Sequence, residues 1–74
     1  MTVNKKVKAE IINSALKDLH SNETLERAIG RFVRNARGSY DDYVQIMSDI
    51  REISSKKKIS LLKAAEKLAE SYES

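Results

Sequence analysis

The sequence predicts an all-α protein, an antiparallel four-helix bundle made by one domain spanning residues 1–74. Three observations carry that expectation. The 74 residues include no proline and only two glycines, and the abundant Ala, Leu, Ile, Lys and Glu favour helix. Apolar residues recur at three- and four-residue intervals in successive segments, the period of a helix face turned to a core. Polar breaks near 20–22, 38–39 and 54–60 separate those segments, and connections so short favour antiparallel neighbours.

The first helix is expected over Val3–Leu19. Val7, Ile11, Ala15 and Leu19 form its stripe, Ile12 and Leu16 widen it, and Lys5, Lys6, Lys8 and Lys17 stay in water. His20, Ser21 and Asn22 make the break, with Ser21 or Asn22 as N-cap and Glu23 complementing the helix dipole. The second helix carries Leu25, Ala28, Ile29, Phe32, Val33 and Ala36 on its apolar face and ends at Gly38, a favourable residue just past a helix end. Gly30 in its interior costs roughly 1 kcal/mol against Ala, which points to a close helix crossing.

Ser39 and Asp42 have the spacing of a capping box, with Asp in place of Glu, and open the third helix. Tyr40, Tyr43, Val44, Met47 and Ile50 line one face of it, with Ile46 and Ile53 on the flank. Ser54, Ser55 and Lys56 to Lys58 end the pattern, and Ser60 caps a fourth helix with Leu61, Leu62, Ala65, Leu68, Ala69 and Tyr72 apolar. The expected core is Ile11, Leu16, Leu19, Leu25, Ile29, Phe32, Val33, Val44, Met47, Ile50, Leu62, Ala65 and Leu68.

Composition narrows the function. Apolar residues make up 41% and charged ones 34%, a balance that fits a folded globule. A net charge of +3 biases the surface mildly toward anionic partners. Without cysteine there is no disulfide framework and no thiolate zinc site. The opening residues lack the apolar run of a signal peptide, so a cytoplasmic location is expected. No cofactor or metal is expected, nor an enzyme. There is no glycine-rich phosphate loop and no HExxH pair, and so thin a domain has little room for a dry pocket. His20, the sole histidine, suits a helix C-terminus. Asp42, Asp49 and Glu52 could be imagined as metal ligands, but helix capping explains the first and exposure the others.

Two cationic groups remain as candidate binding residues. Four of the five arginines, Arg27, Arg31, Arg34 and Arg37, fall within one stretch with no acidic residue among them. At about 100° per residue, Arg27, Arg31 and Arg34 lie opposite the apolar face. They would grip nucleic-acid phosphates, in a helix-turn-helix-like arrangement, or form a solvated face paired in part with Glu66, Glu70 and Glu73. No aromatic residue interleaves with them on the exposed face, which argues against a base-stacking platform. The second group is a lysine corner, Lys56, Lys57 and Lys58 joined by Lys63 and Lys67. Tyr40, Tyr43 and Tyr72 sit at element ends, as amphipathic edges of the core.

The order of segments resembles a known family. Ile11-Ile12-Asn13-Ser14-Ala15-Leu16-Lys17-Asp18-Leu19 matches an opening helix of the pattern II..AL.DL, and Asn22-Glu23-Thr24-Leu25 a polar turn NE.L. Tyr43-Val44-Gln45-Ile46-Met47 with Ile50 corresponds to a third helix rich in Val, Ile and Met, and Lys67-Leu68-Ala69 to a fourth with a KL pattern. Together they resemble the immunity proteins that protect lactic acid bacteria against pediocin-like bacteriocins, class IIa peptides of the enterocin A type. The resemblance implies a bundle in the producer's cytoplasm that recognises the bacteriocin-occupied membrane transporter and blocks the lethal pore. It places recognition toward the C-terminal half, although this chain lacks the longer C-terminal tail of many members. In that half the partner-binding residues would be Lys56, Lys57, Lys58, Lys63, Lys67 and Tyr72, where the basic surface also suits peripheral contact with an anionic inner leaflet.

Overall fold

The computed structural model describes residues 4–19 and 23–73. They form four helices: α1 (Lys5–Lys17), α2 (Leu25–Asn35), α3 (Tyr40–Lys57) and α4 (Leu61–Glu73). In this antiparallel bundle α1 packs against α2 and α4, and α3 against α4 and α2, so α2 and α4 stand diagonally opposed. Of these four neighbouring pairs, α1·α4 has the most extensive contact and α2·α3 the sparsest. Small side chains explain the first: Ala9 and Ala15 of α1 are buried, as are Ala64, Ala65 and Ala69 of α4, and alanines let helix axes approach.

Each helix begins on a side-chain cap. Asn4 Oδ1 accepts the Val7 N–H at 2.9 Å and Ser60 Oγ accepts the Lys63 N–H at 3.2 Å. The expected box at α3 is present: Ser39 Oγ accepts the Asp42 N–H at 3.2 Å and Asp42 Oδ2 accepts the Ser39 N–H at 2.8 Å. The cap of α2 is Thr24, whose Oγ1 accepts the Arg27 N–H at 3.3 Å. Ser21 and Asn22, expected in that role, lie outside the described residues, as do Val3 and His20.

Helix ends differ from expectation in informative ways. α1 stops at Lys17, where the Asp18 N–H reaches the Ser14 carbonyl at 3.0 Å, not at Leu19. α2 stops at Asn35. Its left-handed residue is Arg37 (φ 60), with Arg37 N–H donating to the Arg34 carbonyl at 3.0 Å and Gly38 N–H to the Val33 carbonyl at 2.8 Å. That is the paired closure of a Schellman motif. Gly38 does not supply the positive φ; it supplies space, since a Cβ there would stand 2.9 Å from Val33 Cγ1. α3 continues through Ser54, Ser55 and Lys56 to Lys57. Nothing in that stretch breaks a helix, and cations suit its C-terminal dipole. The turn comes at Lys58 (φ 54), where the Ile59 N–H meets the Ser54 carbonyl at 3.1 Å.

The core is centred on Ile12, Ile29, Ile46, Met47 and Ile50. Leu16, Leu19 and Phe32 pack against it only half-buried. Two expected core residues are outside: Val44 and Leu62, each 43% exposed. On α3 the capping box turns Asp42 inward, and the Ile46–Ile50–Ile53 row follows it, leaving Val44 on a second stripe. On α4 the alanines occupy the interior against α1, so Leu62 is turned out. Gly30 marks no backbone crossing either. Its nearest neighbour for a Cβ would be the Tyr43 ring, at 3.6 Å.

Candidate functional site

The lysines of the expected corner flank the turn from α3 to α4. Lys56 and Lys57 occupy the last turn of α3, Lys58 follows in the left-handed position, and Lys63 and Lys67 project from α4, all five exposed. Lys56 Nζ pairs with Glu52 Oε1 at 3.1 Å along the same helix; the other four make no ion pair among the described residues. Tyr72 is placed elsewhere. Nine residues beyond Lys63, it lies roughly half a turn of the wheel away. It is half-buried, and its hydroxyl donates to Asp49 Oδ2 at 3.0 Å. Lys8 Nζ stands 5.9 Å from its ring centroid. Burial, then the neighbouring Asp49 carboxylate, pushes the Tyr72 phenol above its ordinary pKa. Tyr72 therefore ties α4 to α1 and α3.

The arginines divide by role. Arg31 is a structural clamp: its guanidinium contacts Asp18 Oδ2 at 3.2 Å, the Asp18 carbonyl at 3.3 Å and Glu23 Oε1 at 2.9 Å. It also lies 5.0 Å from the Phe32 ring centroid. The hydrogen bonds to Glu23 and Asp18 hold it more firmly protonated than usual. Arg27, Arg34 and Arg37 are exposed and make no ion pair among the described residues. The pairing with Glu66, Glu70 and Glu73 does not occur, because α4 is diagonal to α2. Instead Glu73 Oε1 accepts the Asn13 amide at 2.9 Å.

Between α2 and α3, where packing is sparsest, lies an open hollow of about 740 Å³. Arg27, Arg34, Gly30, Tyr40 and Tyr43 line it, with Glu23 and Glu26 also on its wall. The seam continues along α3 past Val44 and Met47 to Arg51, which approaches Glu26 at 4.0 Å. Tyr40 is 77% exposed, and its ring centroid lies 6.0 Å from that of Tyr43. The absence of aromatics beside the arginines is thus overturned in space: α3 brings them to α2. The sequence signal is a second stripe on α3, Tyr40, Val44, Met47 and Arg51 at i, i+4, i+7 and i+11, which the residues of α2 alone do not carry.

The acidic residues weighed as metal ligands each have other partners. Asp42 serves the capping box, Asp49 takes the Gln45 amide at 3.1 Å and the Tyr72 hydroxyl, and Glu52 pairs with Lys56. Among the described residues no three His, Cys, Asp or Glu side chains gather as a metal site. No described helix is long and apolar enough to cross a membrane. No family model, no curated protein and no solved structure matches this chain.

Proposed function

We propose that this protein is a bacteriocin immunity protein, acting by protein–protein recognition at the cytoplasmic side of the membrane. The observation that supports this reading most is the agreement between the bundle and the segments behind the resemblance. Ile11, Ile12 and Ala15 are core of α1, Met47 and Ile50 core of α3, and Leu68 and Ala69 core of α4. The lysine corner supplies the contact surface, in the C-terminal half where the resemblance places recognition. Each lysine near an anionic leaflet contributes about 1 kcal/mol of attraction, enough to hold the bundle beside a membrane receptor. The test is expression of the chain in a sensitive strain challenged with a panel of pediocin-like peptides. Survival against at least one is expected; killing by every member of a broad panel would overturn the reading.

A second reading, nucleic-acid binding, is favoured by one observation: Tyr40 and Tyr43 stand beside Arg27 and Arg34. Arginines on phosphates with bases on the tyrosines would give binding that weakens steeply with salt. A low-salt gel-shift titration with single-stranded, duplex and structured RNA or DNA probes decides it. Failure of all of them at micromolar protein removes this reading.

A further inference from the structure

We propose that the α2·α3 seam is a docking groove for α4 of a second copy of this chain, so that the protein assembles head to tail. The inference goes beyond the immunity reading and rests on a different surface. Three large apolar side chains are exposed among the described residues: Tyr40, Val44 and Leu62. Tyr40 and Val44 belong to the seam, where Arg27 and Arg34 make no ion pair among the described residues. Leu62 belongs to the outer face of α4, on one stripe with the exposed Glu66, Glu70 and Glu73. The seam thus couples exposed apolar groups to Arg27 and Arg34, its carboxylates Glu23 and Glu26 being engaged by Arg31 and Arg51, and α4 couples Leu62 to carboxylates.

The spacings agree as well. Arg27 and Arg34 are seven residues apart on α2, and so are Glu66 and Glu73 on α4, about 10.5 Å along either axis. With Glu73 against Arg27 and Glu66 against Arg34, Leu62 falls roughly 6 Å beyond Arg34. That is the end of the seam where Tyr40 stands, since the chain turns from α2 into α3 there. The Tyr43 ring covers Gly30, 3.6 Å from where a Cβ would stand, and forms part of the groove wall. The same contact cannot form within one chain, because α2 and α4 are diagonal. Opposed patches also make the contact heterologous, so assembly continues past a dimer unless a ring closes.

Sedimentation equilibrium across protein concentration and salt tests this. At low ionic strength the weight-average mass should rise steadily above the 8.4 kDa monomer, and return to it near ~0.5 M salt, where exposed pairs are screened. A double variant Arg27→Glu/Arg34→Glu and a double variant Glu66→Arg/Glu73→Arg should each remain monomeric, with unchanged helical circular dichroism. Mixed at equal concentration, they should assemble in alternation with equal amounts of each, because the reversed groove meets the reversed helix and the native groove meets the native one. Leu62→Ser should weaken wild-type assembly at least several-fold. A monomer at every concentration in low salt would overturn the proposal. So would assembly that ignores the charge reversals, or a groove that binds a single-stranded oligonucleotide while the chain stays monomeric.

Discussion

Gly38 lies against Val33 where α2 ends: its N–H donates to the Val33 carbonyl at 2.8 Å, and a Cβ on it would come within 2.9 Å of Val33 Cγ1. The left-handed backbone, meanwhile, is carried by Arg37. The two demands on this turn, conformational freedom and space, therefore fall on adjacent residues. Arg37→Gly should stabilise the fold by up to about 1 kcal/mol, the cost of a side chain in that region less glycine's greater freedom when unfolded. Gly38→Ala should destabilise it by about 1–3 kcal/mol, because the buried Val33 cannot swing away. Thermal melts of the two variants should shift in opposite directions.

Gly30→Ala should also stabilise, by about 0.8–1 kcal/mol in urea unfolding. The new methyl would meet the Tyr43 ring at 3.6 Å, an ordinary contact. A loss of stability instead would mean that α2 and α3 approach more closely than described.

Ile46 and Val44 give the sharpest contrast in the core. Ile46 is fully buried while Val44 is 43% exposed, so Ile46→Ala should cost about 2–5 kcal/mol and Val44→Ala within about 0.5 kcal/mol. In a domain of this size the larger loss approaches the whole stability. Phe32→Ala, which full burial would make one of the worst changes, should cost less than Ile46→Ala because Phe32 is only half-buried. Denaturation midpoints of the three variants rank them directly.

How much of this was legible in the sequence follows from what each signal measures. Helix periodicity and the Ser39–Asp42 spacing report local geometry, and they located four helices and the capping box, though not the ends of α1, α2 and α3. Periodicity does not say which of two apolar stripes faces inward, and on α3 that depended on the box holding Asp42 inside. Nor does it say that alanines rather than Leu62 would meet α1. Of the candidate residues, the exposure of Lys56, Lys57, Lys58, Lys63 and Lys67 and of Arg27 and Arg34 was readable. The clamp role of Arg31, the Tyr72–Asp49 contact that takes Tyr72 away from the lysines, and the tyrosines beside the arginines were not, because each depends on how helices are arranged in space.

Tyr72 predicts an alkaline signature. Its folded pKa lies above the ordinary phenol value, so the folded state holds the proton more tightly than the unfolded chain. The associated stability is complete below about pH 10 and is lost as pH rises from there through the folded pKa. Tyr72→Phe should remove that part of the loss. Stability of wild type relative to Tyr72→Phe should therefore fall above pH 10, and a difference independent of pH would refute the raised phenol pKa that burial and Asp49 together produce.

The immunity reading is tested most directly by survival of sensitive cells carrying altered versions of the chain. Two folded variants matter, one with Lys56, Lys57, Lys58, Lys63 and Lys67 replaced by Gln, and one with Arg27→Gln and Arg34→Gln. Against a peptide that wild type resists, the lysine variant should leave cells as sensitive as those without the protein, and the arginine variant should still protect. Full protection by the lysine variant, or loss of protection only in the arginine variant, would contradict the account.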